Sequence, residues 1–216
     1  LMPAGTGGDY RKVWGLSSDT RKSIRRLAGR EIQTVDAGKM TWNDDQGRAQ
    51  VRYFANIASV GLGGYVSKKV NEQSKILGGK ASFYIASVSE LLRYKNKDLT
   101  LVTDAGDPRR AKISMAAFCI GRFFGGGMMV APNADPSDGL FDIVSIEDAS
   151  RFQILTMTSV YKGKHLSNPK VNLWQGKQVE VSSNESEGCL IELDGENYGS
   201  LPACFSVVPE AFSIKI

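Results

Sequence analysis

Apolar positions along this chain fall mostly in short runs of period two, separated by clusters of Gly, Pro, Asn and Asp, and that spacing predicts strands over most of its length. Ile32 to Val35 and Lys39 to Trp42 read as two extended segments, Asn43 to Gly47 as a turn, and Ala49 to Ser59 as one long strand. Further strands are expected at Leu99 to Thr103, Lys112 to Gly121, Met128 to Val130 and Phe141 to Ile146, with a turn at Asp104 to Pro108. The last third adds Val171 to Trp174, Gln178 to Val181, Cys189 to Asp194, Cys204 to Val208 and Phe212 to Ile216. Helical spacing is rarer. Ser18 or Asp19 caps a helix through about Leu27, ended at Gly29, with Ile24, Leu27 and Ala28 on one face. A helix from Tyr65 to Gln73 follows the irregular GLGGYV stretch. Ala81 to Tyr94 places Phe83, Ala86, Ser87, Leu91 and Tyr94 along one side, and Asp148 to Lys162 reads as one long helix capped by Asp148 or Ser150. Many short strands with few helices predict a mainly β (α+β) chain, a β-sandwich-like domain with inserted α-helices.

Composition narrows the class. At 216 residues the chain suits one large domain or a domain and a half. No apolar run reaches the ~18 to 20 residues of a membrane span, and the first residues lack a signal-peptide pattern, so a cytoplasmic location is expected. Cys119, Cys189 and Cys204 are scattered within apolar runs and read as small buried hydrophobes. The net charge of +4 permits phosphate-bearing partners or anionic lipid surfaces without requiring either, and no nucleic-acid partner is expected. His165 is the single histidine, which excludes a multi-histidine metal site and leaves a hydrolase triad without support.

Three stretches carry candidate chemistry. In APNADPSDGLFD, Ala131 to Asp142, Pro136 and Gly139 shape a turn that can aim Asp135, Asp138 and the Leu140 carbonyl at one hard cation, magnesium or calcium rather than zinc. It is not an EF-hand, since Asp138 stands where Gly is needed and Val144 where Glu is needed. Taken alone, the same residues more often make an ordinary turn. The opening LMPAGTGGDYRKVWG leaves the backbone of Gly5, Gly7 and Gly8 approachable and adds Thr6 and Asp9, a composition suited to phosphate and its metal, though neither a Walker loop nor a dinucleotide fingerprint. In IELDGENY, Ile191 to Tyr198, an apolar strand delivers Asp194 and Glu196 to its end, where general bases and metal-linked carboxylates are often placed, or simply closes an Asp-Gly hairpin. The Gly125-Gly126-Gly127 run implies a close approach or a turn without side chains.

These residues carry a resemblance. PAGTGGDYRK at Pro3 to Lys12, FANIASVGLGG at Phe54 to Gly64, GGGMMVAPNADPSDGLFDIV at Gly125 to Val144, GKHL at Gly163 to Leu166, IELDGE at Ile191 to Glu196 and the closing FSVVPEAFSI resemble, in order, the diacylglycerol kinase catalytic family of bacterial lipid, sphingosine and ceramide kinases. The resemblance implies a two-domain kinase related to NAD kinases. Residues 1–15 would form the joining turn from an N-terminal nucleotide-binding domain whose Gly-Gly-Asp-Gly-Thr motif lies outside this chain, and residues 16–216 the β-rich lipid-binding domain. ATP and Mg2+ are the implied cofactors, a lipid alcohol the implied substrate, with peripheral membrane contact and a homodimer as further implied partners. By the same resemblance Asp194 is the general base, Glu196 and Asp9 organise the catalytic magnesium, Gly5, Thr6, Gly7 and Gly8 form the phosphate-proximal turn, and Asp135, Asp138 and the Leu140 carbonyl hold a structural magnesium. Gly8 departs from the family's frequent Asn, which removes a side-chain contact to the nucleotide there.

Overall fold

Strands dominate because β-branched and aromatic residues alternate with polar ones, and every described pairing between them is antiparallel. This computed structural model describes residues 8–72, 87–104, 106, 108–183 and 188–215. Helices α1 (Asp9–Val13) and α2 (Thr20–Leu27) lead into strands β1 (Ile32–Asn43), β2 (Ala49–Phe54) and β3 (Ile57–Gly61), then helix α3 (Leu62–Glu72). A helical stretch at 87–93, α4, precedes β4 (Lys97–Thr103), β5 (Arg109–Cys119), the small ladder of β6 (Phe123–Phe124) with β7 (Met128–Met129), and β8 (Phe141–Glu147). After α5 (Arg151–Thr156) and 3-10 turns at Thr158–Lys162 and His165–Ser167 come β9 (Val171–Gly176), β10 (Gln178–Ser183), β11 (Leu190–Leu193), β12 (Glu196–Ser200) and β13 (Ala203–Lys215). The architecture is the mainly β, sandwich-like one expected, a curled sheet in the order β12-β11-β3-β5-β4-β10-β13-β1-β2.

Strand β5 is where the sheet branches. Its residues 109–113 pair with β4, while 115–119 lie between β3 and β8, and β9 extends the branch from β8. Side chains alternate across it, so Ala116 and Phe118 enter one core while Ala117 and Cys119 enter another. In the first core Phe118 stacks on Phe205 at 4.3 Å and Phe54 on Phe141 at 5.9 Å, which joins β2, β5, β8 and β13 through four rings. Gly38 on β1 makes room for this stack, since a Cβ there would stand 2.0 Å from the Phe54 ring. In the second core Ile57, Ala117 and Val144 are covered by Val130, Ala131, Ala134 and Met157. His165 is buried against this cover. A carbonyl can only accept, so its Nε2 carries the proton that bonds the Val130 oxygen at 3.0 Å, and burial pushes the ring's pKa down.

Several expected elements differ in extent, each for a tertiary reason. The segments at Ile32 to Val35 and Lys39 to Trp42 are one strand, interrupted by a bulge between Val35 and Ala37 that carries the buried Asp36. The two closing strands are likewise one, β13, with Glu210 at φ +51 where its N–H bonds Asp36 Oδ1 at 2.8 Å. The expected Asp148 to Lys162 helix has the Ser150 cap, completed by Gln153, but ends at Thr156 so that Met157 can enter the second core. Asp19 caps α2 through Arg21 N–H at 2.9 Å, yet of the expected apolar face Ile24 is 54% exposed, while Ser23 is buried. Of the expected Ala81 to Tyr94 helix, 87–93 is helical with Leu91 and Tyr94 buried, whereas 81–86 lies outside the described residues. Cys119 and Cys189 are buried and Cys204 is half-buried, none of them in a disulfide.

The four-ring stack sets a stability prediction. Phe118→Ala removes a fully buried ring that touches both Phe205 and Phe141, and should cost about 3 to 5 kcal/mol in urea unfolding. A loss below about 1 kcal/mol would place the stabilising centre elsewhere.

Candidate active site at the Asp194 turn

Strand β11 ends at Leu193, and the chain reverses through Asp194 and Gly195 into β12, with Leu193 opposite Glu196. Both turn residues have positive φ, +50 and +96, as the two-residue hairpin turn favoured by Asp-Gly requires. The Asp194 carboxylate then reaches back to the chain between β2 and β3. Its Oδ2 accepts from Ala55 N–H at 2.7 Å, and its Oδ1 from Asn56 N–H at 3.0 Å and Ile57 N–H at 3.1 Å. This contact explains why the expected Ala49 to Ser59 strand is two strands, because at 55–56 the backbone donors turn from the sheet to the carboxylate. Desolvation under the loop pushes the Asp194 carboxyl up and the three N–H donors pull it back, with desolvation prevailing. A carboxylate oxygen has two lone pairs, so Oδ2, with a single donor among the described residues, keeps one to receive a proton.

Two residues before Asp194 stands an acid that sequence reasoning missed. Glu192 is 0% exposed, accepts from Ser59 Oγ at 2.7 Å on Oε2, and accepts the Gly195 N–H on Oε1. Burial pushes its carboxyl up to about 8, and the charges of Asp194 and Glu196 add to the shift. The signal was a lone charge inside the apolar run Leu190 to Leu193, whose neighbours Ile191 and Leu193 point into the first core and leave Glu192 on the opposite face.

Helix α3 packs against that opposite face. The sequence suggested a glycine-rich break before a helix at Tyr65, but Gly63 and Gly64 are inside its first turn. A Cβ on Gly63 would lie 2.2 Å from Ser59 Oγ, and one on Gly64 2.5 Å from the Leu190 carbonyl oxygen, so only glycine permits this approach. From the next turns Ser67 Oγ donates to the Gly195 carbonyl at 3.1 Å and Asn71 Nδ2 to Glu196 Oε2 at 3.1 Å.

Asp9 comes to the same region on α1. Its Oδ1 pairs with Lys12 Nζ at 2.6 Å, and its Oδ2 accepts Gly126 N–H at 2.7 Å from the glycine run between β6 and β7. That run therefore does approach something closely, the Asp9 carboxylate. Asn56 Nδ2 donates to the Phe123 carbonyl at 2.9 Å and ties the 55–57 loop to β6. Burial raises the Tyr10 phenol to about 12, with the Asp194 charge adding. Gly8, at φ +61, is the N-cap of α1, while Gly5, Thr6 and Gly7 lie outside the described residues. A charged cavity of about 590 Å3, lined by Tyr94, Lys95, Lys97, Lys112, Asp148 and Arg151 among others, shares no residue with this site.

The expected metal loop is separate from the turn. Asp135 Oδ1 accepts Ser137 N–H at 3.0 Å, and Asp138 Oδ1 accepts Leu140 N–H at 2.9 Å. Behind them Asp36, 1% exposed and also missed in the sequence, accepts Gly139 N–H at 2.8 Å and returns its own N–H to the Pro136 carbonyl at 2.8 Å. Burial pushes the Asp138 carboxyl up, and Asp135, Asp142 and Asp36 add negative charge around it. Oxygen donors in a field of uncompensated negative charge fit a hard cation. No group of three or more acidic, His or Cys side chains converges among the described residues, so carbonyl oxygens would have to complete the set.

Glu192 makes stability pH-dependent in a definite direction. Folded Glu192 holds its proton to about 8, whereas an unfolded Glu releases it near ~4.3, so the folded state binds the extra proton between those values. Stability is then fully present below the lower value, falls as pH rises through the window, and is level above it. Glu192→Gln should flatten that slope in urea titrations between about pH 5 and 8. Parallel pH profiles for the two proteins would show Glu192 to titrate normally.

Residues 56–216 match the family of the YegS C-terminal NAD kinase beta sandwich-like domain. A diacylglycerol kinase of Mycobacterium tuberculosis (strain CDC 1551 / Oshkosh) is 32% identical over 216 residues, covering 99% of this chain and 67% of that protein. A diacylglycerol kinase of Staphylococcus carnosus (strain TM300) is 28% identical over 206 residues, 95% of this chain and 63% of that one. The fold resembles the crystal structure of a diacylglycerol kinase from Bacillus anthracis str. Sterne, with a TM-score of 0.65, 14% identity, and coverage of 99% of this chain and 65% of that chain. The chain thus spans about two thirds of the length of these relatives. With the IELDGE turn, the glycine run and the sandwich in place, the chain belongs to the diacylglycerol kinase family, matching it through the YegS-type C-terminal β-sandwich-like domain.

Proposed function

We propose that this chain is the lipid-binding, base-bearing part of an ATP-dependent lipid kinase, working with an N-terminal nucleotide-binding domain to move the γ-phosphate of ATP to a diacylglycerol- or sphingosine-like hydroxyl. The observation that carries this reading is the Asp194 turn, an acid fixed by three backbone donors that keeps a lone pair open, in a member of this family. As the lipid oxygen attacks the γ-phosphorus, its O–H bond breaks and the proton passes to Asp194 Oδ2. The new P–O bond forms while the bond to the β-phosphate oxygen breaks, and ADP leaves. Desolvation helps, since it raises the carboxyl's appetite for that proton.

Phosphoryl transfer asks a protein mainly to position reactants and offset charge. Glu196, held at one oxygen by Asn71, leaves its other oxygen available among the described residues for the catalytic Mg2+, which would supply charge neutralisation at the phosphates. Asp9 has both oxygens engaged, by Lys12 and Gly126, so reaching a cation would mean exchanging one of those partners. Asp135, Asp138 and the Leu140 carbonyl would hold a second Mg2+ that stabilises the fold. Among the described residues no helix is long and apolar enough to cross a membrane, and reaching a lipid substrate then calls for peripheral contact.

In the full-length enzyme Asp194→Asn should lower kcat by ~10² to 10⁴ with little change in ATP affinity. The amide also turns a donor toward at least one of the 55–57 N–H groups, so a loss of about 1 to 3 kcal/mol in stability is expected alongside. Glu196→Gln should instead weaken apparent Mg2+ affinity and recover with added Mg2+. Equal rescue of both variants by metal would make Asp194 a metal-network residue, and near-wild-type turnover of Asp194→Asn would remove the base assignment. Phosphorylation of NAD in place of lipid by the full-length enzyme would move the reading to a soluble substrate.

A second measurement addresses the loop. Mg2+ should raise the thermal midpoint of the wild type by mass action, and Asp138→Ala should lose that rise. Equal shifts in both would show an ordinary turn.

A further inference from the structure

We infer that Glu192 is a positioning residue: with Ser59, and with Ser67 of α3, it clamps the two peptides that flank Gly195 and so sets where Asp194 and Glu196 stand. This deepens the kinase reading and rests on it for its catalytic consequence. The clamp has two jaws. Glu192 Oε1 takes the Gly195 N–H, which belongs to the Asp194–Gly195 peptide, and Ser67 Oγ holds the Gly195 carbonyl at 3.1 Å, which belongs to the Gly195–Glu196 peptide, so both peptides that flank Gly195 are fixed. Rotating the first would swing Asp194 and break the bond to Glu192, and rotating the second would swing Glu196 and break the bond to Ser67.

The jaws rest on a rigid base. Glu192 Oε2 accepts from Ser59 Oγ on β3 at 2.7 Å, while Asp194, from the same strand end, grips the N–H of Ile57 two residues earlier on β3. Two acids of β11 therefore hold β3 at two points. Gly63 leaves the room in which the Ser59 hydroxyl sits, since a Cβ there would stand 2.2 Å from it. Glu192 does not itself meet substrate, being 0% exposed with both oxygens bonded. An acid in such a place is costly to bury, and an apolar residue of similar size would fill the space at lower cost. The bonds it makes to the turn are what its presence provides.

Two substitutions separate geometry from bulk. Glu192→Gln can accept the Gly195 N–H through its carbonyl and donate its amide to Ser59 Oγ, whereas Glu192→Leu can do neither. In the full-length enzyme, with ATP and dispersed diacylglycerol, Glu192→Gln should stay within about threefold of the wild-type kcat. Glu192→Leu should lose ~10- to 100-fold in kcat, while both KM values stay within about twofold. By hydrogen exchange the Gly195 amide should lose protection in Glu192→Leu while amides of β5 keep theirs. Wild-type kcat in Glu192→Leu, or an equal fall in Glu192→Gln, would overturn the clamp. Should Glu192→Leu fail to fold, Ser59→Ala takes its place and should show a smaller kcat loss of the same kind, an unchanged kcat again overturning the proposal. If the wild type transfers no phosphate to lipid, the kinase reading fails separately, and the Gly195 amide alone decides the clamp, unchanged exchange being the result against it.

Discussion

The contact on which the rest of the site depends is the capture of three backbone N–H groups by one carboxylate 137 to 139 positions along the chain, from Asp194 to Ala55, Asn56 and Ile57. Main-chain donors left unpaired in a fold carry a penalty of about 1 to 3 kcal/mol each, so the carboxylate solves a structural problem that the strand break creates. It also creates the break's use. Once 55–56 leaves the ladder, β3 is free to pair with β11 on one side and β5 on the other, and Asn56 is turned toward Phe123. The proposed base is in this way also a strut, and changes at Asp194 act on fold and chemistry together.

A second regularity links the two acidic turns. At each, exposed acids sit on a glycine turn whose glycine N–H is accepted by a buried carboxyl from elsewhere: Gly195 by Glu192, Gly139 by Asp36. Close carboxyls raise one another's affinity for protons, and burial raises it further. At the Asp194 turn the buried member is the one pushed to about 8, so near neutral pH it is largely protonated and one hairpin is spared a third negative charge.

These arrangements show what local sequence can and cannot reveal. The alternation of apolar residues marked nearly every strand, and Asp194, Glu196, Asp135 and Asp138 stood out as acids beside glycine in turns, though the same residues also serve an ordinary turn. Continuity was another matter. Nothing in Ala49 to Ser59 says that the strand breaks at Ala55, because the cause sits at Asp194; nothing in Ile32 to Trp42 says that two segments join, because the bulge is held by Glu210. Asp148 to Lys162 has unbroken helical spacing until Met157 finds a core to enter. The buried acids were harder still. Glu192 and Asp36 each look like a solvated charge in a strand, and only the partner elements disclose that each is enclosed.

The site's parts are not held with equal strength. The turn is tied to β3 and α3 by a dense set of bonds over the first core, whereas α1 contributes no buried residue and meets the glycine run through Asp9 with one N–H bond and an ion pair to its own Lys12. An ion pair of that kind within one short, partly exposed helix contributes at most about 1 kcal/mol. Among the described residues, hydrogen bonds thus tie Asp194 and Glu196 to their neighbours more densely than they tie α1 to the glycine run. In the proposed transfer the two acids of the turn would be the parts fixed most firmly, with Asp9 set toward them across the glycine run.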